Sequence, residues 1–174
     1  MDIVILFETV EGQTGKIVGV VAEQARDLGH RVTLCDTAQK TVNGALNGAD
    51  RVILAAPVHE RRHPRSFEAA LVAARAELAA RPTLMLSVSL KAAFPDGLEE
   101  ARDYLIEMEM RTGLRPTQEV LVAGAVRLNA YDYYERQIVR HVALAGHEVA
   151  LGESGREFTD WSALEAQVAA FLRG

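Results

Sequence analysis

The sequence predicts a doubly wound α/β domain around a five-stranded parallel sheet, and three observations lead to this fold class. Apolar runs at residues 3–7, 52–56 and 84–88 have the length and branching of strands that are buried on both faces. Apolar residues at helical spacing follow these strands, so strand and helix alternate five times along the chain. Such alternation is typical of right-handed crossovers with helices on both faces of the sheet.

The first half of the chain begins with the strand at residues 3–7 and continues into an amphipathic helix. That helix presents one apolar face, which is composed of Ile17, Val21, Ala25 and Leu28. Gly29 follows, and we expect it to end the helix in a left-handed conformation. Alternation at residues 32–34 predicts an edge strand, and residues 38–48 predict a short helix anchored by Leu46.

The second half repeats this pattern. The strand at residues 52–56 precedes a helix with apolar positions over residues 67–78. The strand at residues 84–88 precedes another helix, for which Asp96 and Glu99 form a capping box.

A fifth strand is predicted at residues 120–126 and a last helix at residues 162–172, with Ser162 and Glu165 as its capping box. About thirty further residues lie between them, more than a compact connection needs. Their first half predicts an extra helix at residues 131–145. One of its faces is made up of Tyr131, Tyr134, Ile138 and Val142. This helix is expected to pack on the sheet edge, to wall a ligand pocket or to contact a membrane.

Composition narrows the function classes. The 174 residues, 49% hydrophobic and 25% charged, predict one domain over residues 1–174. The single cysteine, Cys35, excludes an internal disulfide, and no cluster has zinc spacing, so no metal site is expected. A net charge of −5 disfavours nonspecific nucleic-acid binding. No apolar run approaches ~20 residues, so we expect a cytoplasmic protein or one peripheral at the inner membrane.

The loop after the first strand predicts a site for a phosphate monoester. It combines hydroxyls and backbone N–H groups at a helix start, in the order Thr9, Val10, Glu11, Gly12, Gln13 and Thr14. A Walker loop is excluded because Gly15 and Lys16 are followed by Ile17 with no matching upstream glycine. The dinucleotide fingerprint lacks its third glycine, although Asp36 offers a ribose contact. An ordinary capped helix start uses the same residue types.

Residues 59–65 are basic, although the chain as a whole has a net negative charge. Arg61, Arg62 and Arg65 are accompanied there by two histidines and one acid, Glu60. Guanidinium groups bind carboxylates in a bidentate manner, so one interpretation is a carboxylate clamp, which Arg127 would join if the extra helix folds back. The other interpretation is a solvated start of a helix.

With these features together, the sequence resembles the flavodoxin superfamily, and within it the flavodoxin-like, quinone-dependent protoporphyrinogen oxidases. The matching segments occur in the same order along nearly the whole chain, at residues 11–14, 52–58, 87–90, 123–127, 134–136 and 159–161. The segment after the fourth strand is shorter than in those oxidases, and the extra helix interleaves acids with its basic residues. This pattern disfavours attachment to an anionic membrane surface.

The resemblance implies FMN as the cofactor, with its phosphate on residues 9–14. It also implies two groups of residues on either side of the flavin ring, Pro57, Val58 and His59 on one side and Ser87, Val88, Ser89 and Leu90 on the other. Flavodoxins often stack an aromatic residue on the ring, and the loop at residues 57–65 offers none, so His59 or aliphatic contacts would serve there, with Phe94 or Tyr131 as alternatives. The substrate propionates would contact Arg61, Arg62, Arg65, Arg127 and Tyr131. No residue is assigned a catalytic role, because the flavin carries the redox chemistry.

The reaction implied is the dehydrogenation of protoporphyrinogen IX to protoporphyrin IX in heme biosynthesis, with a quinone as acceptor. Six electrons leave the substrate, so a single flavin turns over three times. Three alternatives stay open: a flavodoxin-like electron carrier, an FMN-dependent quinone reductase that accepts reduced nicotinamide, and a binding module that has lost FMN.

Overall fold

A five-stranded parallel sheet forms the centre of the molecule. The computed structural model describes residues 1–39, 42, 44–128, 136, 139 and 144–174. The strands are β1 Asp2–Phe7, β2 Arg31–Asp36, β3 Arg51–Pro57, β4 Thr83–Ser89 and β5 Gln118–Ala123. Their order is β2-β1-β3-β4-β5, so the direction of winding reverses between β1 and β3. Ligands of doubly wound sheets bind outside the carboxyl ends of the strands at this switch point.

Helices cover both faces of the sheet, as predicted. They are α1 Gln13–Asp27, α2 Arg65–Ala73, α3 Arg75–Ala79, α4 Leu98–Thr112 and α5 Trp161–Arg173. Ile3 and Ile5 of β1 pack in one core with α1 and α5, whereas Val4 and Leu6 pack in a second core with α2, α3 and α4. Because successive strand residues point to opposite faces, a strand covered on both sides is apolar throughout.

The predicted fifth strand is too long. It ends at Ala123, where the N–H of Gly124 donates to Ser89 O at 3.0 Å. The chain then forms β6 Ala125–Arg127, which pairs antiparallel with β7 Gly155–Glu157. We call this two-stranded sheet the β6–β7 ribbon. Residues 120–126 are apolar without interruption except at Gly124, so periodicity alone does not separate the two strands.

Both predicted capping boxes are wrong. Helix α4 follows Gly97, which offers no side-chain cap, and Asp96 belongs to a short 3-10 turn, Pro95–Gly97. Helix α5 is capped by Asp160, whose carboxylate accepts a hydrogen bond from the N–H of Ala163 at 3.0 Å. Asp, Ser and Thr are all good caps, so sequence spacing did not distinguish Asp160 from Ser162.

Three further predictions have definite outcomes. Gly29 adopts a left-handed φ of 84° directly after α1, as expected. The predicted helix over residues 67–78 is broken at Ala74, and residues 44–48 form turns around the buried Leu46 where a short helix was predicted. The extra helix predicted at residues 131–145 falls almost wholly outside the described residues.

Candidate functional site

A cavity of about 300 Å³ opens at the carboxyl edge of the sheet. This volume lies at the lower end of the range for small-molecule sites. Four connections contribute its wall: the loop after β1, the loop after β3, the end of β4, and the residues that follow β5. The lining is composed of Glu11, Gln13, Thr14, Pro57, Val58, His59, Glu60, Val88, Ser89, Leu90, Gly124, Ala125 and Val139. Most of the residues predicted from the three loops therefore meet at one place.

The loop after β1 is organised by a threonine hydroxyl. Thr9 Oγ1 accepts hydrogen bonds from the N–H groups of Gly12 at 3.1 Å and Gly15 at 3.2 Å. Gly12 has a φ of 92° and makes no side-chain cap for α1, unlike an ordinary capped start. The N–H groups of Gln13 and Thr14 lie in the first helical turn, where the helix provides no acceptor. This end of α1 is therefore suited to an anion.

Gln13 connects that helix start to the β6–β7 ribbon. Its Nε2 donates to Glu157 Oε2 and to Thr159 Oγ1, both at 3.0 Å. Its Oε1 accepts a hydrogen bond from Arg127 Nη2 at 2.7 Å. Arg127 thus lies beside the loop after β1. Sequence spacing did not indicate this contact, because the two residues are 114 positions apart.

Glu157 is held by several donors. Lys16 Nζ lies 2.6 Å from its carboxylate, and Trp161 Nε1 donates to it at 2.8 Å. Burial by itself raises the pKa of Glu157, but the hydrogen bonds from Lys16, Gln13 and Trp161 outweigh burial and bring the pKa below its usual value. The charge of Lys16 is therefore balanced by the carboxylate of Glu157.

The loop after β3 contains a tight turn in an unfavourable conformation. His59 and Arg62 exchange two backbone hydrogen bonds of 2.9 Å around Glu60 and Arg61. Both central residues have positive φ, 47° and 65°. Two-residue turns of this kind favour glycine or asparagine, and other residues cost about 1–2 kcal/mol each in the left-handed region. Tertiary contacts must therefore hold the turn.

The arginines of this loop supply those contacts. Arg61 Nη1 lies 2.6 Å from Glu100, and its guanidinium stacks over the ring of Tyr104. Arg62 Nη2 lies 2.5 Å from Glu68. Arg61 and Arg62 of the predicted clamp are thus paired with acids of the protein itself, whereas Arg65 is exposed at the start of α2.

Glu68 also pairs with a second arginine, which lies in the last turn of α4. Its side chain is buried, and Arg111 Nη2 donates to it at 2.8 Å. Burial raises the pKa of Glu68, but hydrogen bonds from Arg111 and Arg62 outweigh it and lower the pKa. Arg62 is therefore part of a structural ion-pair network beneath the loop.

A buried histidine supports the same loop, and sequence reasoning missed it. His63 is 1% exposed, and its Nε2 lies 3.0 Å from Ser87 Oγ. Its Nδ1 has no hydrogen-bond partner among the described residues. Burial lowers the pKa of His63 to about 4, so the ring is neutral. Ser87 accordingly faces the core behind the cavity lining, whereas Val88, Ser89 and Leu90 line the cavity.

The remaining predicted residues take different positions. His59 Nδ1 lies 3.6 Å from Glu11 Oε1, so this contact joins the first two loops at the cavity wall. Thr9, Val10 and Gly12 belong to the loop but do not line the cavity. Phe94 stacks on His147 at 3.8 Å between ring centroids, outside the lining. Tyr131 lies outside the described residues.

This arrangement suits a phosphate-bearing ligand with a flat apolar ring. The start of α1 offers N–H donors, and apolar side chains from the loop after β3 and the end of β4 line the cavity. Among the residues that the structure describes, no group of three or more His, Cys, Asp or Glu could hold a metal ion. The described helices also include none that is long and apolar enough to cross a membrane.

The fold and the cavity define a flavodoxin-like protein. The family model named Flavodoxin domain matches residues 4–148. The chain therefore belongs to the flavodoxin domain family.

Three individual proteins are also similar to this chain. The chain is 26% identical over 177 aligned positions to the protoporphyrinogen IX dehydrogenase [quinone] of Escherichia coli K12, covering 99% of this chain and 93% of that protein. Oxidised flavodoxin 1 from Bacillus cereus matches with a TM-score of 0.53 and 18% identity, over 82% of this chain and 99% of that one. A Fusobacterium nucleatum flavodoxin bound to flavin mononucleotide matches with a TM-score of 0.52 and 11% identity, over 99% and 95%. The two structures support the fold.

Proposed function

We propose that the protein is an FMN-dependent oxidoreductase that dehydrogenates protoporphyrinogen IX to protoporphyrin IX with a quinone acceptor. The observation that carries this proposal is the similarity to the Escherichia coli dehydrogenase, which extends over 99% of the chain. Three quinones would take up the six electrons and six protons that leave one substrate molecule. We assign the reaction to one domain, residues 1–174.

The flavodoxin domain indicates FMN as the cofactor. The phosphate would lie on residues 9–14, where the N–H groups of Gln13 and Thr14 lack intrahelical acceptors. The ring would lie between Pro57, Val58 and His59 on one side and Val88, Ser89 and Leu90 on the other. FMN supplies the electron transfer, whereas these residues position it.

The residues of the chain would orient the ring and keep water from one part of it. Pro57 and Val88 are buried at neighbouring positions of β3 and β4, so the floor of the cavity is rigid. The His63–Ser87 contact fixes the loop after β3 to β4 from below. The ring would therefore meet a preorganised surface, which reduces the entropy cost of binding.

We assign the substrate carboxylates to Arg65, which is exposed, and to Arg61, which is also exposed but would have to exchange its ion pair with Glu100 for a substrate carboxylate. Arg62 is less suitable because it neutralises the buried Glu68. Tyr131 remains a proposed substrate contact. We further propose that the protein acts in the cytoplasm and meets its quinone at the surface of the inner membrane.

The first experiment is an absorption spectrum of the purified protein, with the released cofactor identified by mass. A flavin spectrum with the mass of FMN is expected. Anaerobic assays would then combine protoporphyrinogen IX with menaquinone and follow porphyrin fluorescence. Turnover that depends on the quinone supports the proposed reaction.

The other outcomes point to different functions. A yellow protein that leaves protoporphyrinogen unchanged but oxidises reduced nicotinamide with a quinone would be a quinone reductase. A yellow protein inactive in both assays would fit an electron carrier. A colourless protein that does not take up added FMN would contradict the proposal at its first step.

A further inference from the structure

The guanidinium group of Arg127 lies beside the helix start that holds the phosphate in the proposed function. Its Nη2 donates to Gln13 Oε1 at 2.7 Å, and Gln13 is the first residue of α1. We propose that Arg127 is a cofactor-binding residue that pairs with the phosphate group of FMN. This inference rests on the proposed binding of FMN and changes the predicted role of Arg127, which was substrate binding.

The hydrogen-bonding state of Arg127 is the first argument. Its Nε is buried and has no hydrogen-bond partner within the part of the chain that the structure describes. A buried donor of a charged group that stays unpaired is unfavourable, and arginine presents its donors in a fixed fork that matches phosphate oxygens. Gln13 holds the guanidinium on one side, so an anion at the start of α1 would complete its hydrogen bonds.

The local charge balance is the second argument. We call the loop at residues 9–14, where the proposed function puts the phosphate, the phosphate loop. Glu11 lines the cavity and Glu157 lies next to Gln13, so two carboxylates accompany this loop. Lys16 is already paired with Glu157 at 2.6 Å. A phosphate dianion placed among these groups requires a compensating cation. Arg127 is close enough to supply it, because its guanidinium contacts Gln13.

The β6–β7 ribbon explains why Arg127 faces the phosphate loop. Arg127 pairs with Gly155, while Val126 pairs with Arg156, and paired residues project from the same face of a sheet. Arg127 and Arg156 therefore project from opposite faces. Arg156 stacks over the ring of Phe158 with its guanidinium 5.2 Å from the ring centroid.

A second cavity connects the ribbon with the phosphate loop. It has a volume of about 470 Å³ and is lined in part by Arg127 and Ser154. It shares Glu11 and Gln13 with the first cavity. An anion at the start of α1 is therefore accessible from the side of Arg127.

Flavin titrations of the FMN-free full-length protein test the inference, with dissociation constants read from the quenching of flavin fluorescence. FMN and riboflavin differ only in the phosphate, so each variant is titrated with both. Arg127→Gln is expected to weaken FMN binding about 10- to 100-fold, the range for a charged hydrogen bond, and to leave riboflavin binding unchanged. Arg127→Lys is expected to retain part of the FMN affinity.

Arg26→Gln is the matched control, because it removes the same charge from the opposite end of α1, where Arg26 is exposed and lines neither cavity. It is expected to change neither affinity by more than about twofold. Equal FMN binding by the wild type and Arg127→Gln would overturn the inference, as would an equal loss of both flavins, which would mean a structural role for Arg127. A wild-type protein that binds riboflavin but not FMN would also overturn it. Failure of the wild type to bind either flavin would overturn the proposed function as well.

Discussion

At the scale of single residues, His63 differs most from what its surroundings in the sequence indicate. It lies in a segment of three arginines that reads as exposed, yet its ring is buried and neutral. A histidine prefers such a position only if its hydrogen bonds offset the loss of solvation, and Ser87 supplies one of them. The residue therefore couples the loop after β3 to the sheet.

His63 gives the protein a defined response to acid. Its pKa is about 4 in the folded protein and about 6.5 in the unfolded chain. The unfolded state binds the proton first, so the contribution of His63 to stability is full above pH 6.5 and is lost as pH falls towards 4, by on the order of 3 kcal/mol. We expect His63→Gln to be less stable than the wild type at pH 7 and to approach it near pH 4.5. Urea unfolding at several pH values measures this difference.

The control for that experiment is His30→Gln, which changes a histidine outside the buried core. It is expected to leave the pH profile of the wild type intact. If the wild type and His63→Gln lost stability in parallel between pH 7 and 4.5, the buried histidine would not be the source of the acid sensitivity.

At the scale of elements, the β6–β7 ribbon depends on one glycine. Gly155 has a φ of 112°, and a Cβ there would lie 1.8 Å from the carbonyl oxygen of Val126. No side chain fits this approach without displacing β6. The ribbon therefore requires glycine at this position to bring Arg127 to Gln13.

Gly155→Ala is accordingly expected to displace the ribbon. The free energy of unfolding should fall by about 1–3 kcal/mol, because the residue must leave a conformation that favours glycine and also relieve a steric overlap. FMN affinity should fall with it if Arg127 pairs with the phosphate. Urea unfolding and FMN titration measure the two effects.

Gly152→Ala is the matched control from the same connection. A Cβ at Gly152 meets its nearest atom at 3.5 Å, an ordinary contact. This variant should keep both stability and FMN affinity. Wild-type behaviour of Gly155→Ala would show that β6 and β7 move apart at little cost.

At the scale of the whole molecule, a second titrating group acts at the end of α4 and opposes His63. Burial and a hydrogen bond with Glu119, together with the charge of that residue, raise the pKa of Glu109 to about 7. The folded state keeps a proton that the unfolded state has lost, so stability falls as pH rises from about 4.5 to about 7. His63 has the opposite slope over the same interval.

We therefore expect the stability of the wild type to vary little between pH 5 and about 7, where the two slopes oppose each other. Glu109→Gln keeps a neutral side chain and removes the pH dependence that Glu109 contributes. The stability of this variant should therefore rise with pH over this interval. Thermal unfolding from pH 5 to 7 measures the effect, with Glu107→Gln on the same helix as the control. A Glu109→Gln profile that runs parallel to the wild type would contradict the expectation.

The sequence alone determined the fold class and the edge of the sheet at which the cavity opens. Strands buried on both faces need apolar residues throughout, and helices on a sheet need one apolar face. The alternation of strand and helix could therefore be recognised from the sequence. The carboxyl ends of parallel strands share one edge, which is why residues from the segments 9–14, 57–59 and 87–90 line one cavity. These are local rules, and each depends on a few neighbouring residues.

Only the tertiary structure decided which charged groups are available to bind a ligand and where β5 ends and the β6–β7 ribbon begins. Arg61 and Arg62 read as a clamp, but their acids, Glu100 and Glu68, come from other segments of the chain. The separation of β5 from the ribbon depends on pairing with residues that follow about thirty positions later. Arg127 meets Gln13 for the same reason. Hydrogen bonds and ion pairs between distant residues depend on three-dimensional proximity, and sequence spacing carries no record of it.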